Sequence, residues 1–285
     1  MQRESAYVKI TPVIKMGKFS GMLIASDYDG TLASSDGGIC NKNREAIRYF
    51  IAEGGYFTVC TGRSKQGFHA FSSELMNAPV IVANGGMLYD YTENKVIDVF
   101  SASDKHIPLL EKISARFPYV CFELYSDKNN TFALNICDQS RKHFERQDIK
   151  YVVVDRFDQV EFPIIKLMLC VGKEHTADVQ KFLSETELME LKYIPSDGDF
   201  IEMMPQNTDK GKALLRLADK LHIPHSRAFS VGDGSNDADM LRAAAIGFVP
   251  SNGDSFAKAA GNVIVKSNDE GSVADAIAYL EEKFC

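Results

Sequence analysis

The sequence predicts an α/β protein, a doubly wound and mostly parallel sheet with an α+β unit inserted into it. Three observations lead there. Short apolar runs rich in branched residues alternate with helix-period segments, the pattern of a parallel sheet covered on both faces. Polar clusters stand at the C-terminal ends of four of those runs, where open α/β sheets bind their ligands. A middle block with strand-like and helix-like runs, but almost no such clusters, separates the third run from the fourth.

The chain has 285 residues, enough for one large domain or two modest ones. Residues 1–18 are broken by Lys9, Pro12, Lys15 and Lys18 and lack the apolar stretch of a signal peptide. They read as an N-terminal extension, either loose or adding an edge strand. Strands are expected at Gly21–Ser26, Tyr56–Cys60, Val80–Ala83, Ala228–Val231, Ile246–Val249 and Val263–Val265. Helical periodicity spans Asn43–Glu53, Lys210–Leu221, Asp237–Ala244 and Ser272–Lys283. Residues 19–88 and 194–285 then form the core domain. Residues 89–193 form the inserted α+β domain, with strands at Thr131–Cys137 and Ile165–Val171 and helices at Ile107–Arg116 and His175–Leu183.

Composition narrows the function. The formal net charge is −7, which argues against a basic face that grips nucleic acid. Six cysteines include no CxxC pair, so a zinc site is not indicated and they read as buried thiols of a reducing compartment. No run reaches the roughly 20 apolar residues of a membrane span. The expectation is a cytoplasmic protein with no membrane partner.

The chemistry begins at Asp27-Tyr28-Asp29-Gly30-Thr31. A carboxylate at the end of a buried strand can attack phosphorus and form an aspartyl-phosphate. Opening that anhydride needs a general base, and Asp29, two residues on in an extended segment, points to the same side. Crowded carboxylates need a cation. Asp233 and Asp237 in Gly232-Asp233-Gly234-Ser235-Asn236-Asp237 add oxygen ligands of the kind Mg²⁺ prefers. A calcium loop of the EF-hand kind is the other reading of that segment, but its twelfth position is Ala244 rather than Glu. Phosphoryl oxygens need donors. Thr61 offers a hydroxyl, the turn Thr61-Gly62-Arg63 offers N–H groups, and Lys210 at a helix start offers a point charge.

Taken together, Asp27-x-Asp29-Gly30-Thr31-Leu32, Thr61-Gly62-Arg63, Lys210-Gly211 and Gly232-Asp233-Gly234-Ser235-Asn236-Asp237 resemble the haloacid dehalogenase-like hydrolases. Within them they resemble the Cof-type phosphatases with a type IIB cap. The resemblance implies that Asp27 is the nucleophile, while Asp29 protonates the leaving alcohol and then activates water. It implies Mg²⁺ held by Asp27, the backbone carbonyl of Asp29 and Asp233, with Asp237 supporting the metal shell. Thr61 and Lys210 would position the phosphoryl group, with Gly62, Arg63 and Asn236 as further phosphate-binding candidates. Asn252 stands where the family has an asparagine, although the small-residue segment around it departs from the family pattern by ending in Gly253. The inserted block would be the cap that excludes water and selects substrate. Asn84, at the outgoing crossing, and Glu202, on the return, stand open between a substrate contact and a hinge. Arg63 stands open between a phosphate contact and a salt bridge.

The implied activity is Mg²⁺-dependent hydrolysis of small phosphorylated metabolites such as sugar phosphates or phosphorylated cofactors. The alternatives are a phosphomutase on the same fold and a non-catalytic phosphometabolite sensor. A phosphonate hydrolase is disfavoured by the acidic Asp29. A receiver-type phospho-switch is disfavoured by the inserted block.

Overall fold

The computed structural model describes residues 17–68, 75–196 and 198–285. The extension expected at residues 1–18 lies, but for Gly17 and Lys18, outside them. The first part of the chain forms β1 (Leu23–Ser26), α1 (Asn41–Ala52), β2 (Tyr56–Val59), β3 (Val80–Val82), β4 (Met87–Asp90) and β5 (Lys95–Val99). The middle forms α2 (Ile107–Arg116), β6 (Cys121–Ser126), β7 (Thr131–Leu134), α3 (Asp138–Arg146), β8 (Val152–Val154), β9 (Ile164–Cys170), α4 (Thr176–Ser184), β10 (Leu191–Ser196) and β11 (Phe200–Pro205). The last part forms α5 (Lys210–Lys220), β12 (Ala228–Val231), α6 (Ala238–Ala243), β13 (Ile246–Pro250), α7 (Ser255–Ala260), β14 (Val263–Val265) and α8 (Ser272–Phe284).

The central sheet is parallel throughout, in the order β14-β13-β12-β1-β2. Its strands alternate faces. Ile24, Phe57, Val59, Phe229 and Val231 pack with Ile47 and Phe50 of α1 and with Ile277 and Leu280 of α8. Leu23, Ala25 and Ala228 pack with Ala213, Leu214 and Leu217 of α5 on the other face. Burial on both faces is why these strands read as unbroken apolar runs. Each fully buried Phe or Leu contributes about 1.5–3 kcal/mol. Beyond β2, a parallel bridge from Cys60 to Ile81 leads to β3, which forms an antiparallel sheet with β4 and β5.

The middle block builds a six-stranded sheet, β10-β11-β9-β6-β7-β8, antiparallel except for the β7–β8 pair. Phe122, Leu124, Leu167, Leu169 and Ile201 point to one face, where α2 and α4 cover them through Leu110, Ile113, Val179 and Leu183. The opposite face looks toward the central sheet. The chain returns from this sheet only after Pro205, because β10 and β11 are hydrogen-bonded to each other and to β9. That is later than the expected boundary at 194. The short α7, with Asp254 accepting from the Ala257 N–H at 2.7 Å, was not anticipated; a run of two turns carries too little periodicity to signal a helix. No helix among the described residues is long and apolar enough to cross a membrane.

Candidate active site

The strand ends β1, β12 and β3 and the start of α5 converge at one edge of the central sheet. Directly after β1, the Asp27 N–H donates to Val231 O of β12 at 2.8 Å, so Asp27 stays in register with the sheet while its side chain tops it. The chain then turns at Gly30, whose φ of +78° lies in the left-handed region. A Cβ there would stand 2.5 Å from Asp233 Oδ2. Only glycine lets the two loops approach this closely. Thr31, next along, donates its hydroxyl to Asp233 Oδ1 at 2.5 Å.

Lys210, the first residue of α5, is fully buried. Its Nζ reaches Asp27 Oδ1 and Asp237 Oδ1, both at 2.6 Å. Its position follows from close packing of α5 on α6: a Cβ on Gly211 would meet the Asp239 carbonyl at 2.4 Å. Asp209 caps the helix by accepting from the Lys212 N–H. Asp237 Oδ2 accepts from the Asp233 and Gly234 N–H groups at 3.0 and 2.9 Å, which folds the Gly232–Asp237 loop around one carboxylate.

The electrostatics are those of a crowded acidic site. Burial, followed by the Asp237 charge, pushes the Asp27 carboxyl well above the ordinary range, and Lys210 offsets only part of this. Burial likewise raises Asp233 to about 6. Burial opposes the Lys210 charge, but Asp237 and Asp27 outweigh it and hold the ammonium above its usual range. Ligand oxygens of Asp27, Asp233 and Asp237 lie within 4.8 Å of one another. Three hard oxygen donors with one lysine to balance them fit a divalent cation. Of the three, Asp237 has both oxygens engaged by Lys210 and backbone N–H groups, so it braces the group more than it offers a free ligand.

A cleft of about 230 Å³ opens above these acids. Asp27, Asp29, Thr61, Gly62, Arg63, Asp233 and Asn236 line its floor. The structure gives several of the expected residues definite partners. The Asp29 carboxylate is not in the acidic cluster; it is held in a bidentate pair by Arg63, Nε to Oδ2 at 2.8 Å and Nη2 to Oδ1 at 2.6 Å. Arg63 is therefore engaged in a salt bridge at the rim of the cleft. The Thr61-Gly62-Arg63 turn offers fewer backbone donors than expected. The Thr61 N–H donates to Ile81 O at 2.8 Å and the Arg63 N–H to Thr61 Oγ1 at 3.1 Å, so the Thr61 hydroxyl and the Gly62 N–H remain. Asn252 stands outside the cleft. It donates to Gly30 O at 2.8 Å and accepts from the Asn268 N–H at 2.9 Å, bracing the Gly30 turn from behind. Asn84, with φ of +50°, donates to Glu202 Oε2 at 2.7 Å and lies 3.4 Å from Asn236 Nδ2. Asn84 thereby ties the end of β3 to β11 of the six-stranded sheet.

The roof was only partly legible, through Glu202. His143, Arg146 and Gln147 from α3 and its end, Lys166 and Met168 from β9, and Phe200 and Glu202 from β11 face the floor. Lys166 Nζ donates to Gly62 O at 2.9 Å and pairs with Glu202 Oε1 at 3.1 Å. Glu123 of β6 is buried and accepts from Tyr125, Ser140 and His143. The inter-strand register aligns Glu123, Met168 and Glu202 in one row. A signal did exist: Glu123, Lys166 and Glu202 are single charges within otherwise apolar strands.

A profile of the haloacid dehalogenase-like hydrolases matches residues 24–277. The chain belongs to this family. Among its curated relatives in the family, a 5-amino-6-(5-phospho-D-ribitylamino)uracil phosphatase of Bacillus subtilis is 27% identical over 280 residues, spanning 90% of this chain and 97% of the relative. An Escherichia coli phosphatase of the same name is 30% identical over 262 residues, spanning 90% and 94%. In fold, the chain is similar to a haloacid dehalogenase-like hydrolase from Bacteroides thetaiotaomicron, with a TM-score of 0.81, 23% identity and coverage of 91% and 99%. It is also similar to a subclass IIB sugar phosphatase, with a TM-score of 0.79, 20% identity and coverage of 91% and 98%. Within the haloacid dehalogenase-like hydrolases the chain is a Cof-type phosphatase.

Proposed function

We propose that this protein is a Mg²⁺-dependent phosphomonoesterase that hydrolyses a small phosphorylated metabolite through an aspartyl-phosphate at Asp27. The observation that carries the reading is the buried Lys210 ammonium bonded at 2.6 Å to Asp27, with Asp233 and Asp237 beside it. This arrangement keeps a strand-end carboxylate oriented under an open cleft. Asp27, Asp233 and the Asp29 carbonyl would hold Mg²⁺, which when bound offsets repulsion between the substrate phosphate and the attacking carboxylate.

The protein's own groups supply the remaining steps. An Asp27 oxygen attacks phosphorus, and the bond from phosphorus to the leaving alcohol breaks. Asp29 gives that oxygen a proton. Its side chain is 58% exposed, which leaves room to turn from Arg63 toward the cleft. Water then attacks the phosphorus and loses its proton to Asp29. The Asp27–phosphorus bond breaks, and phosphate leaves. Thr61 donates its hydroxyl to the phosphoryl oxygens, and the roof excludes bulk water.

The names of the relatives make a phosphoribitylamino-pyrimidine and sugar phosphates the first substrates to try. The test is phosphate release from p-nitrophenyl phosphate and from a panel containing them, with Mg²⁺ and with EDTA, beside Asp27→Asn. The expected outcome is metal-dependent release that Asp27→Asn abolishes while its circular dichroism stays unchanged. Release that survives in Asp27→Asn would overturn the mechanism.

A further inference from the structure

We propose that Cys137 and Cys170, at the start of α3 and the end of β9, form a peroxide-oxidisable dithiol that closes to an intramolecular disulfide. The two sulfurs lie 3.4 Å apart, although the residues are 33 positions apart in the chain. Both are free thiols. They differ in the ways a reacting pair must. Cys137 is partly exposed and sits at the N-cap of the nine-residue α3, where the positive end of a helix favours a thiolate. The neighbouring Cys121 thiol, and then that of Cys170, push its sulfur further toward the thiolate. Cys170, the last residue of β9, is buried, so it meets an oxidant only through Cys137. Cys121 sits opposite Cys170 in the β6–β9 register, and its sulfur lies 3.1 Å from the Ser140 hydroxyl.

The step balances with a peroxide as oxidant. The Cys137 thiolate attacks one peroxide oxygen, the O–O bond breaks, and the departing hydroxide takes up a proton as water. Cys137 is left as a sulfenic acid. The Cys170 sulfur attacks that sulfur and expels its oxygen as a second water, which carries the Cys170 proton. Two thiols are oxidised, and one peroxide is reduced to two waters. In a reducing compartment such a bond is transient. It would join the N-terminus of α3 to the end of β9, the two elements that bring His143, Arg146, Lys166 and Met168 over the acids.

The test uses the full chain, folded, with stoichiometric hydrogen peroxide, alkylation of the remaining thiols and peptide mapping. The expected result is a Cys137–Cys170 cross-linked peptide, two hydrogen masses lighter than its parts, formed at least ~10-fold faster than oxidation of the exposed Cys285 and reversed by dithiothreitol. Cys170→Ser should leave a sulfenic acid at Cys137 that dimedone traps, and Cys137→Ser should leave Cys170 alkylatable after peroxide. If both wild-type thiols stay alkylatable while Cys285 oxidises, or if Cys137 links to Cys121 instead, the proposal fails. The readout is mass, so it stands or falls independently of the phosphatase assay.

Discussion

Lys210→Met removes the ammonium while keeping an unbranched apolar stem in a fully enclosed position. The structure sets the magnitude. Lys210 makes two 2.6 Å charged hydrogen bonds, and its side chain and that of Asp237 are both 0% exposed. Without the lysine, Asp27 and Asp237 remain as buried carboxylates with no cation between them. Breaking a buried pair from one side destabilises by about 3–5 kcal/mol. With about 2.1 cal/mol/K of unfolding entropy per residue, 285 residues give about 0.6 kcal/mol/K. The expected fall in Tm is therefore roughly 5–8 °C, measured by scanning calorimetry in EDTA. Most of the loss is uncompensated charge rather than missing attraction, so it should be non-additive. Asp27→Asn combined with Lys210→Met should be less destabilised than the sum of the two single variants, by about 0.5–3 kcal/mol. A Lys210→Met Tm within ~2 °C of wild type, or strict additivity in the cycle, would refute the reasoning.

Three further outcomes follow from the geometry. Gly30→Ala places a methyl 2.5 Å from Asp233 Oδ2 at φ of +78°; the Mg²⁺ concentration for half-maximal activity should rise about 10–100-fold, and an unchanged value would mean that Asp233 does not bind the metal. Asp29→Asn should lower kcat by about 10²–10⁴ while shifting stability by less than ~1 kcal/mol, because the pair it forms with Arg63 is at the surface; retained kcat removes Asp29 as the proton carrier. Lys166→Met removes the cation beside the buried Glu202 and the donor to the Gly62 carbonyl and should cost about 1–3 kcal/mol of stability with KM rising more than kcat falls; a KM equal to wild type would show that the roof is positioned without this link.

What the sequence by itself determined was local in origin. The central strands were legible because burial on both faces writes unbroken apolar runs, and Asp27, Asp29, Thr61, Lys210 and Asp233 because each stands beside the end of such a run or the start of a helix. The fold class followed from the alternation of strands and helices. Only the tertiary structure decided which of these groups touch. Lys210 lies 183 residues from Asp27, Glu202 lies 118 from Asn84, and Lys166 lies 104 from Gly62. No local pattern encodes contacts across such separations: the first arises when α5 packs on the central sheet, and the other two when the six-stranded sheet faces the loops of the core. Neighbouring loops of the central sheet turned Arg63 onto Asp29 and placed Asn252 behind the Gly30 turn, and the six-stranded sheet brought Glu202 to Asn84. Single charges in the roof strands look anomalous in one dimension. They acquire a role only when strand register aligns Glu123, Met168 and Glu202 and turns that row toward the acids.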